Sequence, residues 1–191
     1  MYVISALLRL ILRKTQSVFF VLRILKLRML YPGITIDFKS RIEPQCSIVC
    51  IKGGKLHISN SKISFGSNIV ADKGSMLSIK NTFIGRNCVI TSKNKIAIRE
   101  SLIAEMVVIR DQDHKPGVIK NNNDKEQFIT APIEIEENVW IASKTTILKG
   151  VHIGKSSVIV ASSVVTKNIP ATEIWGGIPA HFIKKVITTD S

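Results

Sequence analysis

Aromatic residues are scarce in this chain: they make up 6% of its 191 residues, whereas hydrophobic residues make up 45%. A core of that composition has to be built from Ile, Val and Ala side chains instead of large rings. Such a core suits repetitive coils of narrow cross-section. The length favours one domain with an appendage over two domains.

Cysteine is also scarce, and the three cysteines, Cys46, Cys50 and Cys88, are odd in number. None of them stands at a spacing from a histidine that is typical of a zinc site, so we predict no metal site. A free cysteine behaves as a small hydrophobic residue. We interpret the three as reduced core residues, which favours a cytoplasmic location.

Acidic residues are absent from residues 1–36, and nearly half of the net charge of +13 comes from the basic residues of this stretch, which are Arg9, Arg13, Lys14, Arg23, Lys26 and Arg28. The remaining lysines are scattered through turns without interleaved aromatic residues. No helix-turn-helix, zinc-finger or RNA-recognition pattern occurs. The charge therefore does not indicate a nucleic-acid partner.

Glycine and proline are missing from the first thirty residues, and this run ends at Pro32 and Gly33. We predict a basic amphipathic helical segment over residues 1–32. Basic residues interrupt the apolar stretch, so neither a membrane-spanning helix nor a signal peptide is expected. Two interpretations stay open: the helix docks on an anionic membrane, at the inner face of the cell membrane, or it packs on the protein itself.

A six-residue repeat of aliphatic residues follows later in the chain and comprises Ile135, Ile141, Ile147, Ile153, Ile159 and Val165. The positions four residues after each of these hold Val139, Thr145, Val151, Ser157, Ser163 and Ile169. A period of six fits neither a helix nor an alternating strand of that length. It predicts a β-solenoid whose aliphatic residues point inward. The alternative, two ordinary β-hairpins, would need turn dipeptides that this stretch lacks.

The repeat is irregular at two places upstream. Ile84 and Ile90 are followed at a shifted phase by Ile103 and Ile109, and the spacing from Ile98 to Ile103 is one residue short of a hexad. We therefore expect an irregular coil there. Residues 115–132 break the repeat altogether, which predicts a loop extruded from the solenoid. Such a loop either carries substrate specificity or is a surface insertion without function.

Four motifs carry a family resemblance: Asn138-Val-Trp-Ile-Ala142, the stretch from Thr146 to Gly154, the stretch from Val158 to Lys167, and Trp175-Gly-Gly-Ile-Pro-Ala180. With them the chain resembles the hexapeptide-repeat acyltransferases, in the branch of maltose, galactoside and capsular or lipopolysaccharide O-acetyltransferases. The resemblance implies a left-handed parallel β-helix over residues 33–186, a short C-terminal helix and a tail at 187–191. It also implies a homotrimer that uses acetyl-CoA and holds each site at a subunit interface.

The segment Arg110-Asp-Gln-Asp-His114 looks like the family's catalytic segment. The resemblance makes His114 the general base, which takes the proton of an acceptor hydroxyl as its oxygen attacks the thioester directly. A histidine near its ordinary pKa suits that role. Asp111 or Asp113 either orients the imidazole or caps the turn, and spacing does not decide between the two.

The resemblance also implies a set of cofactor-binding residues, with the C-terminal lysine assisting from either Lys184 or Lys185: Trp140, Ala142, Ser143, Ala161, Thr166, Lys167 and Lys184. For Trp140 and Ala161 the alternative is a packing role, and for Lys167 it is a solvated lysine. In sugar-acetylating relatives an asparagine contacts the acceptor, and Arg86 stands at the matching position here, beside Asn87. We group Arg86 and Asn87 with Glu105 as acceptor-binding candidates.

Together these features predict an acetyl-CoA-dependent O-acetyltransferase. The arginine at the asparagine position argues against a simple maltose or galactoside acceptor, so we expect a hydroxyl of a bacterial capsular or lipopolysaccharide glycan. One alternative is an N-acetyltransferase of an amino-sugar nucleotide, which would use the same base and cofactor. Another is a non-catalytic β-helix scaffold.

Overall fold

The computed structural model describes residues 18–116 and 128–187. Within these residues the chain forms helix α1, over residues 18–30, and 22 strands. Most strands belong to three parallel sheets. Sheet A consists of β1 (Ile34–Ile36), β4 (Lys55–Ser59), β7 (Met76–Lys80), β10 (Lys95–Arg99), β15 (Ile133–Ile135) and β18 (His152–Ile153).

Sheet B consists of β2 (Arg41–Ile42), β5 (Lys62–Ile63), β8 (Phe83–Ile84), β11 (Leu102–Ile103), β16 (Trp140–Ile141), β19 (Val158–Ile159), β21 (Glu173–Gly177) and β22 (Ala180–Lys185). Sheet C consists of β3 (Ser47–Cys50), β6 (Asn68–Ala71), β9 (Val89–Ser92), β12 (Val108–Arg110), β17 (Thr146–Ile147) and β20 (Val164–Val165). A separate antiparallel ribbon consists of β13 (Gln112–His114) and β14 (Phe128–Thr130).

The chain visits sheets A, B and C in turn, and each strand pairs in parallel with the strands of the coils before and after it. This arrangement is a β-solenoid of about six coils, as the six-residue repeat predicts. The turns between successive sheets form three edges, which we name the A–B, B–C and C–A edges. The ribbon of β13 and β14 leaves the solenoid at the C–A edge.

The aliphatic ladder forms the core of the C-terminal coils. All six of its members, from Ile135 to Val165, are at most 1% exposed, and so are the six residues four positions after them. Parallel pairing stacks Ile135 on Ile153, Ile141 on Ile159 and Ile147 on Val165. A continuous apolar column of this kind stabilises coils that could not be stable alone.

The coils become shorter along the chain. Ile36 pairs with Ile58, 22 residues later, whereas Ile135 pairs with Ile153, 18 residues later. The additional residues lie mainly around the C–A edge. Between the inward residues Ile48 and Ile58, the chain forms a four-residue turn at residues 51–54 and the first part of β4. The N-terminal coils are therefore wider at this edge than the C-terminal coils.

The expected irregularity between Ile98 and Ile103 is not present. β10 pairs with β7 and β15, and β11 pairs with β8 and β16, so the stacking continues through this coil. The short spacing arises from a tight A–B turn in which Glu100 adopts a φ of 45°. Asn60 and Asn81 adopt φ values of 44° and 50° at the same edge of the two coils before it. The five-residue spacing is thus a regular feature of this edge.

The expected C-terminal helix is wrong, because β21 and β22 form an antiparallel hairpin instead. β21 pairs with β19 of the last coil, and the half-buried Trp175 packs against the core. The last coil presents unpaired backbone groups that a further strand can satisfy. Gly176 and Gly177 also disfavour a helix. A Cβ at Gly176 would collide with Val160, so this strand lies tightly on the coil.

Helix α1 caps the N-terminal end of the solenoid. Ile24 is fully buried, and Leu27 and Tyr31 pack against the core. Arg23 donates a hydrogen bond of 2.7 Å from Nη2 to the carbonyl of Cys46. Packing on the protein is therefore confirmed for this face, while residues 1–17 of the predicted segment lie outside the described residues. In the part of the chain that the structure describes, no helix is long and apolar enough to span a membrane.

Candidate active site

The predicted site residues lie on two edges of sheet C, and the B–C edge carries the larger group. One column at this edge consists of Arg86, Glu105, Ser143 and Ala161. Backbone hydrogen bonds of 2.8–3.0 Å connect it: the N–H of Met106 donates to the carbonyl of Arg86, that of Lys144 to Glu105, and that of Ser162 to Ser143. Ala142 precedes Ser143 in the same turn. Acceptor-binding and cofactor-binding candidates thus stack directly on one another.

Arg86, Asn87 and Glu105 line a common pocket of about 570 Å³ with Phe83 and Met106. Its far side holds an ion pair between Lys62 Nζ and Glu43 Oε1 at 2.8 Å. Burial acts to raise the pKa of Glu43, but hydrogen bonds from Lys62 and from the backbone N–H of Phe65 outweigh it and lower the pKa. The structure therefore brings the three acceptor candidates together in a groove of mixed charge.

His114 lies on the C–A edge, in β13 of the ribbon. It pairs with Phe128 of β14, and the two rings lie with their centroids 4.6 Å apart at an interplanar angle of 42°. The imidazole is exposed to solvent. A rigid strand pair and an aromatic neighbour thus hold His114 at a surface that an acceptor can reach.

Asp111 does not orient His114, because its carboxylate is fully buried and caps the turn of the preceding coil. Its Oδ1 accepts a hydrogen bond from the backbone N–H of Lys93 at 2.7 Å. Its Oδ2 accepts from Ser92 Oγ at 2.7 Å and from the backbone N–H of Asn94 at 2.9 Å. The turn-capping alternative therefore applies to Asp111.

Asp113 also points away from the imidazole and forms an ion pair with Lys149, in the turn of the next coil. Among the described residues, no carboxylate hydrogen-bonds to His114. The expectation that one of the two aspartates orients the base does not hold within the single chain. Both are used to fasten the ribbon to the coils on either side of it.

Two residues absent from the predicted site, Phe128 and Lys93, belong to its surroundings, because Phe128 lies next to His114 and Lys93 lies next to Phe128. Lys93 Nζ sits 4.0 Å from the centroid of the Phe128 ring and forms an ion pair with Asp72. Burial acts to raise the pKa of Asp72, but the hydrogen bonds from Lys93 and from the backbone N–H of Lys73 outweigh it, so the pKa is lowered. The sequence did not predict the pairing of Phe128 with His114, because no repeat indicates where the extruded loop ends.

The remaining cofactor candidates divide between the two edges and the sheet between them. Thr166 and Lys167 follow β20 at the C–A edge and are exposed. Trp140 lies on the outer face of sheet B between Leu102 and Val158, and it is 50% exposed. Because its side chain points outward, as does that of the exposed Ala161, neither residue contributes to the core of this chain.

Lys184 is exposed on β22, opposite Ile174 in the hairpin. It lies on the edge strand of sheet B, whereas His114 and Lys167 lie at the C–A edge. Sheet C separates the B–C residues from the C–A residues within one chain. A single copy therefore does not bring all the predicted residues into one site.

Residues 132–167 match the family of bacterial transferases with six hexapeptide repeats. The chain is 33% identical to the galactoside O-acetyltransferase of Escherichia coli over 129 residues, which are 66% of this chain and 59% of that protein. The chain belongs to the hexapeptide-repeat transferases. It spans about three fifths of the length of the first curated relatives, at 61% and 59%.

Two solved acetyltransferases share this architecture. The polySia-specific acetyltransferase NeuO is 30% identical, with a TM-score of 0.63 over 79% of this chain and 66% of that one. A hexapeptide-repeat acetyltransferase of Vibrio cholerae, complexed with acetyl-CoA, is 26% identical, with a TM-score of 0.59 over 84% of this chain and 74% of that one.

The matched hexapeptide repeats cover only part of the candidate site. They include β15–β20 and therefore Trp140, Ala142, Ser143, Ala161 and Lys167. The ribbon with His114 and the groove with Arg86 and Glu105 lie upstream of residue 132. In this hexapeptide-repeat transferase, the family repeats thus carry the cofactor candidates, while the acceptor candidates belong to the wider N-terminal coils.

Proposed function

We propose that this protein is an acetyl-CoA-dependent O-acetyltransferase that acetylates a sugar hydroxyl of a bacterial capsular or lipopolysaccharide glycan. One observation carries the proposal: the exposed His114 lies on the same edge as Thr166 and Lys167, two coils away. Coils stack about 5 Å apart, so the start of the ribbon that carries the base and the cationic donor site are separated by roughly 10 Å. The activity named for the Escherichia coli relative is also the transfer of an acetyl group to a sugar oxygen.

The donor-binding residues have the shape and charge that a thin phosphorylated thioester needs. Ala142, Ser143 and Ala161 have small side chains at the B–C edge, which leaves their backbone open to a narrow chain. Lys167 is an exposed cation suited to a phosphate group, and Thr166 lies beside it. The bound donor would supply an activated acetyl group.

In the proposed mechanism, His114 holds the acceptor hydroxyl and accepts its proton as the oxygen attacks the acetyl carbonyl. The backbone N–H of Ser143 stabilises the negative charge that develops on the carbonyl oxygen, whereas the N–H of Ala142 donates to the carbonyl of Ile159 at 2.9 Å. His114 then returns its proton to the departing thiolate. No protein nucleophile takes part in this sequence.

We also propose that the site forms between copies in a homotrimer. Sheet C lies between the two edges that carry the site residues, and its outer face bears small, partly exposed side chains: Val49, Val70, Val89, Val108, Thr146 and Val164. Three copies can close around this face, with the B–C edge of each copy against the C–A edge of the next. Each such contact joins Ser143 and Ala161 to the His114 and Lys167 of another copy.

The base assignment is tested with His114→Ala and with His57→Ala as a matched control, since His57 is exposed on the outer face of sheet A. Thiol release from acetyl-CoA is followed with candidate glycans. We expect His114→Ala to lower kcat by roughly 10²- to 10⁴-fold and His57→Ala to leave it unchanged. An unchanged kcat in His114→Ala contradicts the assignment.

The shared site is tested by mixing two inactive variants, His114→Ala and Ala161→Trp, in one preparation. If each site takes His114 from one copy and Ala161 from the next, a one-to-one preparation that assembles at random regains roughly a quarter of the wild-type activity. Sites contained within one chain give no recovery. Sedimentation equilibrium of the unmixed protein reports the number of copies.

We propose further that α1 docks the enzyme on the inner face of an anionic cell membrane. On the side of α1 opposite the buried Ile24, Leu22 is 60% exposed, Leu25 47% and Met29 82%. Lys26 and Arg28 lie on the same helix, and no acidic residue accompanies them. Each basic residue near such a surface is worth about 1 kcal/mol.

Membrane docking is tested by co-sedimentation with vesicles that contain phosphatidylglycerol. The variant Leu22→Gln/Leu25→Gln/Met29→Gln keeps the core-facing side of the helix and is expected to remain in the supernatant. Met76→Gln removes an exposed apolar side chain from sheet A and is expected to sediment like the wild type. Equal sedimentation of all three proteins contradicts the proposal.

A further inference from the structure

The basic residues of the N-terminal coils are concentrated at one edge. Five lysines, which we call the lysine row, lie at or beside the C–A edge before the ribbon: Lys52, Lys55, Lys73, Lys93 and Lys95. Asp72 is the acidic residue among them. The A–B edge of the same coils is mixed, with Asp37, Lys39, Lys80, Arg99 and Glu100. The excess positive charge of the N-terminal coils therefore lies on one side of the solenoid.

The lysine row runs parallel to the solenoid axis. Lys55 and Lys95 both pair with Met76, which lies between them, and Cys50, Ala71 and Ser92 stack just before the three turns that carry Lys52, Lys73 and Lys93. Strands of successive coils are about 5 Å apart, so the row presents cations at that interval over roughly 10 Å. Regular spacing along an axis suits an extended, repetitive ligand.

Most of this charge is available to a ligand. Asp72 already pairs with Lys93, and its lowered pKa keeps it ionised and bound to that lysine at neutral pH. The side chains of Lys52, Lys73 and Lys95 are exposed, and no carboxylate of the described residues lies within salt-bridge distance of them. Three exposed cations outside any ion pair of the described residues therefore lie beside one neutralised pair, with Lys95 also within electrostatic range of Glu134.

The lysine row leads to the candidate base. Lys93 Nζ lies 4.0 Å from the centroid of the Phe128 ring, and that ring lies 4.6 Å from the ring of His114. At its other end the row borders a groove of about 900 Å³ lined by Lys52, Lys55 and His57. The donor candidates Thr166 and Lys167 lie on the opposite side of His114 along this edge. The lysine row thus has no part in donor binding.

We propose that the acceptor is a polyanionic glycan, with carboxylate or phosphate groups along its chain, that lies on the lysine row and presents a hydroxyl to His114. This inference rests on the proposed function and adds the chemical class of the acceptor. Lysines are compact point charges without the bidentate geometry of arginine. Lysines therefore recognise repeated negative charges and discriminate little between individual sugars. Such binding weakens as the salt concentration increases, because ions screen the charges.

The test compares Lys52→Gln/Lys73→Gln/Lys95→Gln with the matched variant Lys39→Gln/Lys80→Gln/Lys155→Gln, which removes the same charge at the A–B edge. All six lysines are exposed. The probes are polygalacturonate, which carries a carboxylate on each sugar, and neutral dextran of similar length. Binding is measured without acetyl-CoA, and kinetics are measured with it.

We expect the wild type and the matched variant Lys39→Gln/Lys80→Gln/Lys155→Gln to bind polygalacturonate and not dextran. The affinity for polygalacturonate should fall as the salt concentration increases. The lysine-row variant binds about tenfold more weakly, because each exposed pair contributes about twofold. Its KM for the anionic acceptor rises by a similar factor, while the KM for acetyl-CoA is unchanged. Equal weakening in both variants overturns the inference, as does a larger loss of binding to duplex DNA or to anionic vesicles than to polygalacturonate in the lysine-row variant.

Failure of the inference and failure of the proposed function give different results. If the lysine-row variant transfers acetyl to dextran as well as the wild type does, the acceptor is neutral and only the inference fails. If polygalacturonate binds as expected but no glycan of either kind releases thiol, the acetyltransferase proposal fails and the anionic surface stands.

Discussion

Asp111 occupies a position that carries uncharged residues in the earlier coils. It follows Cys50, Ala71 and Ser92 along the C–A edge, and these three are buried and stack in register. A buried carboxyl group needs several hydrogen-bond partners, and Ser92 and the backbone N–H groups of Lys93 and Asn94 supply them. This buried carboxyl group stands where the ribbon leaves the coil.

Replacement of Asp111 is therefore expected to destabilise the fold as well as the site. Asp111→Ala leaves the partly buried backbone N–H groups of Lys93 and Asn94 without this partner, which costs about 2 kcal/mol of unfolding free energy. Asp111→Asn keeps the shape and part of the hydrogen bonding, and its cost is smaller. Urea unfolding followed by circular dichroism measures both. An unfolding midpoint of Asp111→Ala equal to that of the wild type contradicts the capping role.

The raised pKa of the Cys88 thiol leads to a prediction about stability and reactivity at alkaline pH. Burial raises its pKa from 9.0 to about 11. Because the folded pKa is above the unfolded one, this contribution to stability is complete below about pH 9 and is lost as the pH rises through 11. The thiol is therefore expected to resist iodoacetamide at pH 8 in the folded protein and to react after unfolding in urea.

The control for this prediction is Cys88→Ala, whose stability should fall less steeply than that of the wild type between pH 9 and 11. Mass spectrometry reports alkylation at each cysteine. Alkylation of folded Cys88 at pH 8, at the rate of a free thiol, contradicts the burial argument.

Individual residues were predictable from the sequence when their role depended only on being apolar. The interpretation of Cys46, Cys50 and Cys88 as reduced core residues is confirmed, since all three are buried and free. The roles of Asp111 and Asp113 were not predictable, because side-chain direction depends on where the coil ends and the ribbon begins. Asp111 is a buried cap, whereas Asp113, two positions later, is the ion-pair partner of Lys149.

At the scale of elements, close stacking of coils is tested by Gly85. A Cβ at this position would lie 2.5 Å from the backbone carbon of Ala104 and 2.7 Å from its carbonyl oxygen. Backbone atoms of a paired strand cannot move aside without separating the coils. Gly85→Ala is therefore expected to cost about 1–3 kcal/mol of unfolding free energy.

Gly74→Ala separates this stacking effect from backbone strain. Gly74 has a φ of +76°, and an added Cβ there would meet nothing within 4 Å. Its replacement should cost only about 1 kcal/mol, the strain of a left-handed conformation. Urea midpoints measured on both variants distinguish the two causes, and equal costs would show that contact with Ala104 is unimportant.

The periodic elements were predictable from the sequence, and the elements at the ends and insertions were not. The ladder from Ile135 to Val165 indicates a solenoid because one aliphatic position recurs in every unit. The hairpin of β21 and β22 follows the last hexad, where no period remains to indicate structure. Its formation depends on the open edge of β19, which exists only once the coils have stacked.

At the scale of the whole molecule, Arg99 joins the coils on the two sides of the inserted ribbon. Its Nη1 lies 2.8 Å from Glu134 Oε1, and its Nε lies 2.7 Å from Glu137 Oε1. The hydrogen bond from Arg99 lowers the pKa of both glutamates below the usual value of 4.5. Because the folded values are lower, the stability that they contribute is present above about pH 4.5 and is lost as the pH falls through the folded pKa values.

Arg99→Gln is therefore expected to lower the melting temperature at pH 7 by about 2 °C, and this difference should shrink as the pH falls below 4.5. Lys80→Gln is the control, because Lys80 pairs with Arg99 in sheet A and, among the described residues, forms no ion pair. Thermal scans at a series of pH values from 7 to 2 give the comparison. A difference that stays the same over this whole range would assign the effect to packing and not to charge.

The widening of the coils at the C–A edge separates the part of the fold that must stay constant from the part that can vary. Inward residues such as Ile58 and Ile153 keep their stacking although their coils differ by several residues in length. Turns of different length at this edge are thus interchangeable without a change of core. Under the proposed function, turns grafted from a relative onto the N-terminal coils at this edge would change acceptor preference, while the C-terminal coils that carry the donor candidates stay as they are.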